Sequence, residues 1–122
     1  MSKMKNLIRS ISGIRGIVGS SFTNQIVKQH LNAFLSMQEN GPILLAYDGR
    51  AHGKAFLKYA ATIIKESGRI VVNCGLIPTP TCQFLVKHFG YAGAVIITAS
   101  HNPSEWNGLK FIDSDACFTS PE

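Results

Sequence analysis

Short apolar runs without a polar interruption alternate along this chain with longer segments of helical periodicity. The runs are ILLAY at residues 43–47, IVV at 70–72 and AVIIT at 94–98. A strand that is apolar on both faces is typical of a parallel sheet covered by helices on both sides. The alternation therefore predicts an α/β fold, a three-layer α/β/α domain with a mixed, largely parallel sheet.

Helical spacing and turn residues predict where the helices lie between these runs. A first helix is predicted from Thr23 or Asn24 to about residue 39, and a second follows residue 50 and ends near Gly68. A third, short helix is predicted to open at Thr79 and Pro80, with the threonine as its cap and the proline in its first turn. Helices between the strands supply the crossover connections that parallel strands need.

The two ends of the chain have weaker patterns. Near the start we expect a short strand through Ile8 and Ile11, a glycine-bounded loop at 13–16 and a returning strand at 17–18. Near the end, residues 109–112 are expected to pair as an edge strand. The sequence SPE at 120–122 resembles the opening turn of another helix, so we expect residues 1–122 to be one domain truncated at its C-terminal end.

The charge and the cysteine content limit which ligands and which cellular compartment suit this chain. The formal net charge is +5, but the 12 lysines and arginines are scattered singly instead of forming a basic patch. This diffuse distribution suits a small anionic substrate or no particular partner, and it argues against sequence-directed binding of nucleic acid. Three cysteines without a Cys-x-x-Cys pair disfavour zinc and a disulfide framework. With no secretory signal and no apolar run of membrane-spanning length, we expect a cytoplasmic protein with no membrane partner.

The AVIIT run leads into the sequence TASHNP at residues 98–103, which carries the side chains best suited to chemistry. Ser100 follows the strand beside His101 and Asn102, and Lys110 comes after an expected Asn-Gly turn a few residues later. A hydroxyl beside imidazole, amide and ammonium groups at the carboxyl end of a strand suits phosphoryl or acyl transfer. Histidine can move a proton near neutral pH, and lysine can offset charge on phosphoryl oxygens or act as a base.

Two further loops carry groups that can hold an anion. In GIRG at 13–16, the glycines allow backbone amides to approach closely, and Arg15 can bind two phosphate oxygens at once. Asp48 and Arg50 follow the ILLAY strand, so we expect them at the carboxyl-end edge of the sheet, where the serine also lies. They are expected either to bind phosphate or to brace their loop as an ion pair.

Together these motifs resemble those of the α-D-phosphohexomutases, the family of phosphoglucomutase, phosphomannomutase and phosphoglucosamine mutase. The similarity covers SGIRG at 12–16, the Asp-x-Arg turn at 48–50, TASHNP at 98–103 and NGLK at 107–110. The resemblance implies the α/β/α fold of the family's domain I. It also implies that Ser100 carries the transferable phosphoryl group. Catalytic roles then fall to Ser100, His101, Lys110 and Arg15, and substrate or phosphate binding falls to Ser12, Arg15, Asn102, Asp48 and Arg50.

The reaction that the resemblance implies is reversible movement of a phosphoryl group between C1 and C6 of a hexose phosphate. A phosphoserine donates to the free hydroxyl, and a hexose 1,6-bisphosphate, which also serves as activator, is the intermediate. Mg²⁺ is expected on the Ser100 phosphate, with its other ligands in a second domain, because Asp113 and Asp115 follow the wrong strand. The expected partner is the rest of the same chain, domains II–IV, so residues 1–122 are expected to be inactive alone. Glucose, mannose and glucosamine stay open as the sugar, with a weak preference for glucosamine or glucose.

Two other classes of function remain open. Ser100 and His101 could belong to a serine hydrolase, but the chain has no Gly-x-Ser-x-Gly elbow, and adjacent residues of an extended chain point to opposite sides. Alternatively, the chain is a stand-alone phosphate-binding or regulatory module.

Overall fold

The computed structural model describes residues 7–10, 13–99 and 102–119, which contain six strands and three helices. The strands are β1 (Ile8–Ser10), β2 (Gly13–Ile17), β3 (Ile43–Tyr47), β4 (Val71–Leu76), β5 (Gly93–Ile97) and β6 (Trp106–Asp113). The helices are α1 (Asn24–Met37), α2 (Gly53–Glu66) and α3 (Thr79–Phe89). Among the described residues, no helix has both the length and the apolar character needed to cross a membrane.

The six strands form one mixed sheet in the order β1-β2-β6-β5-β3-β4. β3 is parallel to β4 and β5, whereas β1 with β2, β2 with β6 and β5 with β6 are antiparallel. The mixed sheet is confirmed, but the expectation that it would be largely parallel is wrong. The reason is that β1–β2 and β5–β6 are joined by connections too short for the crossover that parallel strands require.

Helices cover the two faces of the sheet unequally. One face, called here the α1/α2 face, packs against α1 and α2 and holds a large core that includes Phe22, Phe34 and Phe111. The opposite α3 face packs against α3 and holds a smaller core that includes Val86 and Ile96. The α/β/α layering that the sequence predicts is therefore confirmed.

Two local predictions near the ends of the chain are wrong. Residues 13–16 are not a loop but part of β2, and residues 109–112 are not an edge strand but the middle of β6, between β2 and β5. The glycines of β2 reflect close strand packing, because a Cβ at Gly13 would overlap the carbonyl oxygen of Leu109. Glycine inside a strand often marks such an approach instead of a turn.

The predicted helices are confirmed within a few residues. The Thr23 hydroxyl accepts a hydrogen bond from the backbone N–H of Ile26 and caps α1, as its position in the sequence predicts. α2 ends at Glu66, just before the predicted stop. α3 starts at Thr79, but its capping residue is Pro78 and not the predicted threonine.

Candidate active site

Three of the predicted site residues, Ser12, Ser100 and His101, lie outside the described residues. The residues directly before and after the serine–histidine pair, Ala99 and Asn102, are nevertheless described and are joined by a hydrogen bond. The backbone N–H of Asn102 donates a hydrogen bond to the carbonyl of Ala99 over 3.1 Å. The chain on the two sides of Ser100 and His101 is thus brought within hydrogen-bonding distance.

Arg15 and Asn102, both predicted to bind substrate or phosphate, meet directly. The Arg15 Nη1 atom donates to the Asn102 Oδ1 atom over 2.7 Å, although 87 positions separate the two residues in the chain. Ile14 belongs to the α1/α2 core, so the alternation of a strand places Arg15 on the α3 face. The guanidinium therefore lies over the α3 face and contacts the residue directly after the serine–histidine pair.

Gly108 makes room for this arginine. It is the partner of Arg15 across the β2–β6 pair. A Cβ at position 108 would lie 2.9 Å from the Arg15 Cγ atom and would overlap the carbonyl oxygen of Ile14. Residues 107 and 108, expected to form a turn, are instead part of β6, so this expectation is wrong. A glycine is needed here because the Arg15 side chain and the β2 backbone pack closely against position 108, and not because the chain turns.

Asp48 and Thr98 form the second polar contact of the site. The Thr98 hydroxyl donates to the Asp48 Oδ2 atom over 2.6 Å. The carboxylate also accepts from the Arg50 backbone N–H at Oδ1 and from the Arg50 Nε at Oδ2, both over 3.3 Å. Asp48 thus joins the end of β3 to the chain that leaves β5, two positions before the serine.

Arg50 joins the same network to the far side of the serine loop, the segment 98–105 between β5 and β6. Its Nη1 atom donates to the carbonyl of Pro103 over 2.9 Å and to the carbonyl of Trp106 over 3.3 Å. The Trp106 backbone N–H in turn donates to the Pro103 carbonyl over 2.9 Å. The Arg50 side chain is 15% exposed, although its contact with the Pro103 carbonyl lies at the surface. This geometry matches the loop-bracing interpretation of the Asp48–Arg50 pair.

Lys110 also lies on the α3 face. Its neighbours in β6, Leu109 and Phe111, belong to the α1/α2 core, so Lys110 points the other way. It is paired across the sheet with Gly13 on one side and Ile96 on the other. The structure thus places Lys110 and Arg15 on one face of the sheet, two register positions apart.

The described residues do not by themselves form a magnesium site. In this part of the chain, no group of three His, Cys, Asp or Glu side chains could hold a metal ion. The Asp113 Oδ1 atom instead accepts hydrogen bonds from the backbone N–H groups of Asp115, over 2.9 Å, and Cys117, over 3.0 Å. Asp113 therefore stabilises a turn.

The two cysteines near α3 are not competing nucleophiles. Burial raises the pKa of the Cys82 thiol to about 12, and burial also raises the pKa of Cys74. Because the thiolate is the reactive form of cysteine, neither thiol is activated at neutral pH.

Sequence reasoning assigned no role to three residues of this region. Thr98 was recognised only as part of the TASHNP motif, Gly108 only as part of a turn, and Phe118 was not singled out. Thr98 and Gly108 act through neighbours distant in sequence, Asp48 and β2 respectively, and Phe118 contacts Lys110 only because the chain turns back after β6. A buried threonine at a strand end next to a serine motif is a usable signal, because its hydroxyl needs a partner.

The sequence matches a known family model over residues 7–122, the model described as "Phosphoglucomutase/phosphomannomutase, alpha/beta/alpha domain I". A phosphoglucosamine/phosphogalactosamine mutase from Sulfurisphaera tokodaii is 39% identical over 104 residues, which cover 84% of this chain and 23% of the relative. A phosphoglucosamine mutase from Synechococcus sp. (strain WH7803) is 36% identical over 104 residues, covering 84% of this chain and 22% of the relative. The chain thus spans about a quarter of the length of the curated relatives it matches.

A solved structure has the same fold. The crystal structure of a Thermus thermophilus protein assigned as a phosphomannomutase superposes with a TM-score of 0.72 at 28% sequence identity, covering 91% of this chain and 26% of that one.

Proposed function

Because this chain belongs to the phosphoglucomutase/phosphomannomutase family, as an α/β/α domain I, we propose that it supplies the phosphoserine of a phosphohexomutase. The reaction is the reversible movement of a phosphoryl group between C1 and C6 of a hexose phosphate. The relatives named above favour glucosamine phosphate as the sugar, in agreement with the weak preference drawn from the sequence.

The observation that carries the proposal is the hydrogen bond between Arg15 and Asn102. It joins the SGIRG and TASHNP motifs, which are remote in sequence, at a residue two positions after Ser100 in the chain. A guanidinium can hold two phosphate oxygens at once, so Arg15 is suited to grip the phosphoryl group of Ser100 or of the substrate. Arg50 also reaches the serine motif, but through the backbone carbonyl of Pro103, which suits bracing more than phosphate binding.

In the proposed mechanism, the bond between phosphorus and the Ser100 oxygen breaks as a bond forms to the free hydroxyl of the sugar phosphate. The proton of that hydroxyl passes to a base, for which His101 is the candidate, and the departing Ser100 oxygen takes up a proton. The bisphosphate then reorients, and its other phosphoryl group returns to Ser100 as the serine hydroxyl loses its proton and the released sugar oxygen gains one, which restores the phosphoenzyme. Arg15 and Lys110 offset the charge of the transferred group, and Asp48 and Arg50 hold the loop that carries it.

Magnesium, the bisphosphate activator and the cytoplasmic location stay predictions. The ligands beyond the Ser100 phosphate are expected from the second domain of the family, because the described residues contain no group of His, Cys, Asp and Glu side chains that could hold the ion. For the same reason we propose that residues 1–122 do not turn over substrate without the rest of the family's domains.

The first experiment is intact-mass and phosphopeptide analysis of the complete gene product purified from its own cells. We expect one phosphate, on Ser100. Ser100→Ala should abolish both the phosphate and the interconversion of glucosamine 1- and 6-phosphate. The matched control is Ser104→Ala, which changes an exposed serine of the same loop and should leave both intact.

An unmodified Ser100 that stays unmodified after incubation with a hexose 1,6-bisphosphate and Mg²⁺ would exclude the mechanism. Ester hydrolysis that depends on Ser100 would favour the hydrolase instead. Phosphate binding without turnover by the complete gene product would favour a regulatory module.

A further inference from the structure

The segment after β6 turns back along the strand and is held by a carboxylate. The Asp113 Oδ1 atom accepts hydrogen bonds from two backbone N–H groups of the turn, at Asp115 and Cys117. Ala116 has a φ of 66°, a left-handed conformation that non-glycine residues rarely adopt. A turn stabilised in this way fixes the position of the residues that follow it.

Phe118 and Thr119 lie beside β6, beyond the N-terminal end of β2. Phe118 forms an antiparallel bridge with Ile112, and the backbone N–H of Thr119 donates to the carbonyl of Phe111 over 2.9 Å. Residues directly opposite each other in an antiparallel pair share a face. Because Ile112 belongs to the α3-face core, Phe118 lies on the α3 face, diagonal to Lys110.

α3 fixes the turn from the other side. The Gln83 Nε2 atom donates to the carbonyl of Ala116 over 3.0 Å. The ammonium of Lys87 lies 3.9 Å from a carboxylate oxygen of Asp115, an exposed pair that adds little to stability. The ring of Phe118 is thus carried by a segment attached both to the sheet and to a helix.

We propose that Phe118 is a positioning residue for Lys110. The Lys110 Nζ atom lies 5.4 Å from the centre of the Phe118 ring, within the range of a cation–π interaction. Among the described residues, no carboxylate forms an ion pair with this ammonium. Phe118 is 37% exposed and belongs to neither core cluster, so packing of the core does not account for its position.

The consequence for catalysis rests on the proposed function, in which Lys110 offsets charge on the transferred phosphoryl group. A long lysine side chain on a sheet surface samples many rotamers, and an aromatic partner reduces that freedom. Phe118 therefore holds the ammonium over the face that carries Arg15 before substrate arrives. The expected gain in rate is about two- to fivefold, the size of an exposed cation–π interaction.

The first test measures the contact itself, by NMR of the 122-residue chain with labelled lysine. The ring should shift the Lys110 ε-methylene protons upfield. Phe118→Leu should abolish that shift, and Phe118→Trp should retain it. The matched control is Phe89→Leu, which removes a ring that is 59% exposed at the end of α3 and should leave Lys110 unchanged. Lys110 signals without an upfield shift in the unsubstituted chain would overturn the proposal.

The second test measures whether Phe118 acts through Lys110, by steady-state kinetics of the complete gene product. Phe118→Leu should lower kcat about two- to fivefold with a smaller change in KM, and Phe118→Trp should restore it. In a Lys110→Met background, Phe118→Leu should have no further effect. An equal loss in both backgrounds would mean a purely structural role and would overturn the proposal.

The two tests separate this inference from the proposed function. If the complete gene product interconverts no hexose phosphate, the proposed function fails. The lysine resonances then decide by themselves whether Phe118 holds Lys110.

Discussion

The two faces of the sheet differ in how they use their side chains. Among the described residues, the α1/α2 face carries a core of 19 buried residues with several aromatic rings, whereas the core of the α3 face has seven. Arg15 and Lys110 both lie on the α3 face. Large cationic side chains need space and partial access to water, which a fully covered face does not provide. The comparison indicates that one face is filled by the larger core, whereas the other leaves room for the cationic side chains of the proposed site.

The largest effect should come from a matched pair of neighbours in β5. Ile97 belongs to the α1/α2 core and Ile96 to the α3-face core, and both are at most 1% exposed. Ile97→Ala should lower the free energy of unfolding by about 4 kcal/mol, because the large core cannot close around the cavity. Ile96→Ala should cost about 2 kcal/mol, because the thinner layer can collapse or admit water. Urea denaturation of both variants measures the difference.

Equal losses at the two positions would break the comparison, since the α3 face would then be as tightly packed as the other. A larger loss for Ile96→Ala would reverse it.

The next effect concerns the close contact between Arg15 in β2 and Gly108 in β6. Gly108→Ala places a methyl group against the Ile14 carbonyl and the Arg15 side chain, so it should lower the free energy of unfolding by about 2 kcal/mol. It should also displace Arg15 from Asn102 and reduce kcat/KM of the complete gene product. Stability is measured by urea denaturation. Unchanged stability and activity would show that the α3 face tolerates additional volume at this point.

Two arginines that bind backbone carbonyls allow a residue of the proposed site to be compared with a residue that only supports the fold. Arg50 binds carbonyls of the serine loop, whereas Arg69 binds four carbonyls at the C-terminal end of α1 and just after it. Lysine cannot reproduce these forked contacts, so Arg69→Lys should cost about 2 kcal/mol and Arg50→Lys about 1 kcal/mol of unfolding free energy.

Hydrogen exchange separates the two variants. Arg50→Lys should speed exchange of the backbone N–H groups of Asn102 and Trp106, and Arg69→Lys should leave them unchanged. Faster exchange in both variants would mean that the loop depends on overall stability and not on the Arg50 contacts.

The smallest effect is a pH dependence at the rim of the α1/α2 face. Burial lowers the pKa of His30 below its ordinary value, the nearby charge of Arg9 acts in the same direction, and the hydrogen bond to the Ile26 carbonyl opposes both. A lowered pKa means that the unfolded chain binds a proton first as pH falls. The associated stability is present above about pH 6.5 and is lost below it. His30→Gln should therefore lose less stability than the unsubstituted chain as the pH falls from about 7.5 to about 5.5, as measured by urea denaturation.

The sequence predicted the elements of the fold better than their arrangement. Apolar runs and helical spacing predicted α1, α2, β3 and β5, because these signals depend on residues close together in the chain. The position of β6 between β2 and β5 was missed, since a single strand carries no information about its neighbours. Similarly, the glycines of β2 and β6 were interpreted as turn residues, because close approach of two strands has no local signature.

The site was predicted in part for the same reason. Arg15, Asn102, Asp48 and Arg50 were identified from motifs, and the structure joins Arg15 to Asn102 and Arg50 to both Asp48 and the Pro103 carbonyl. The contact of Thr98 with Asp48 required knowledge of a pair 50 positions apart, and that of Phe118 with Lys110 required knowledge of the turn that follows β6. The roles of Ser12, Ser100 and His101 stay predictions.

The pairing of β2 with β6 also has a consequence for biosynthesis. The 87 positions between Arg15 and Asn102 take a ribosome roughly 4 to 17 seconds to translate. During this interval the nascent chain already has β2 and its arginine but lacks the strand beside which they belong. The β2–β6 pair, and with it the proposed phosphate site, can therefore form only after β6 has left the exit tunnel.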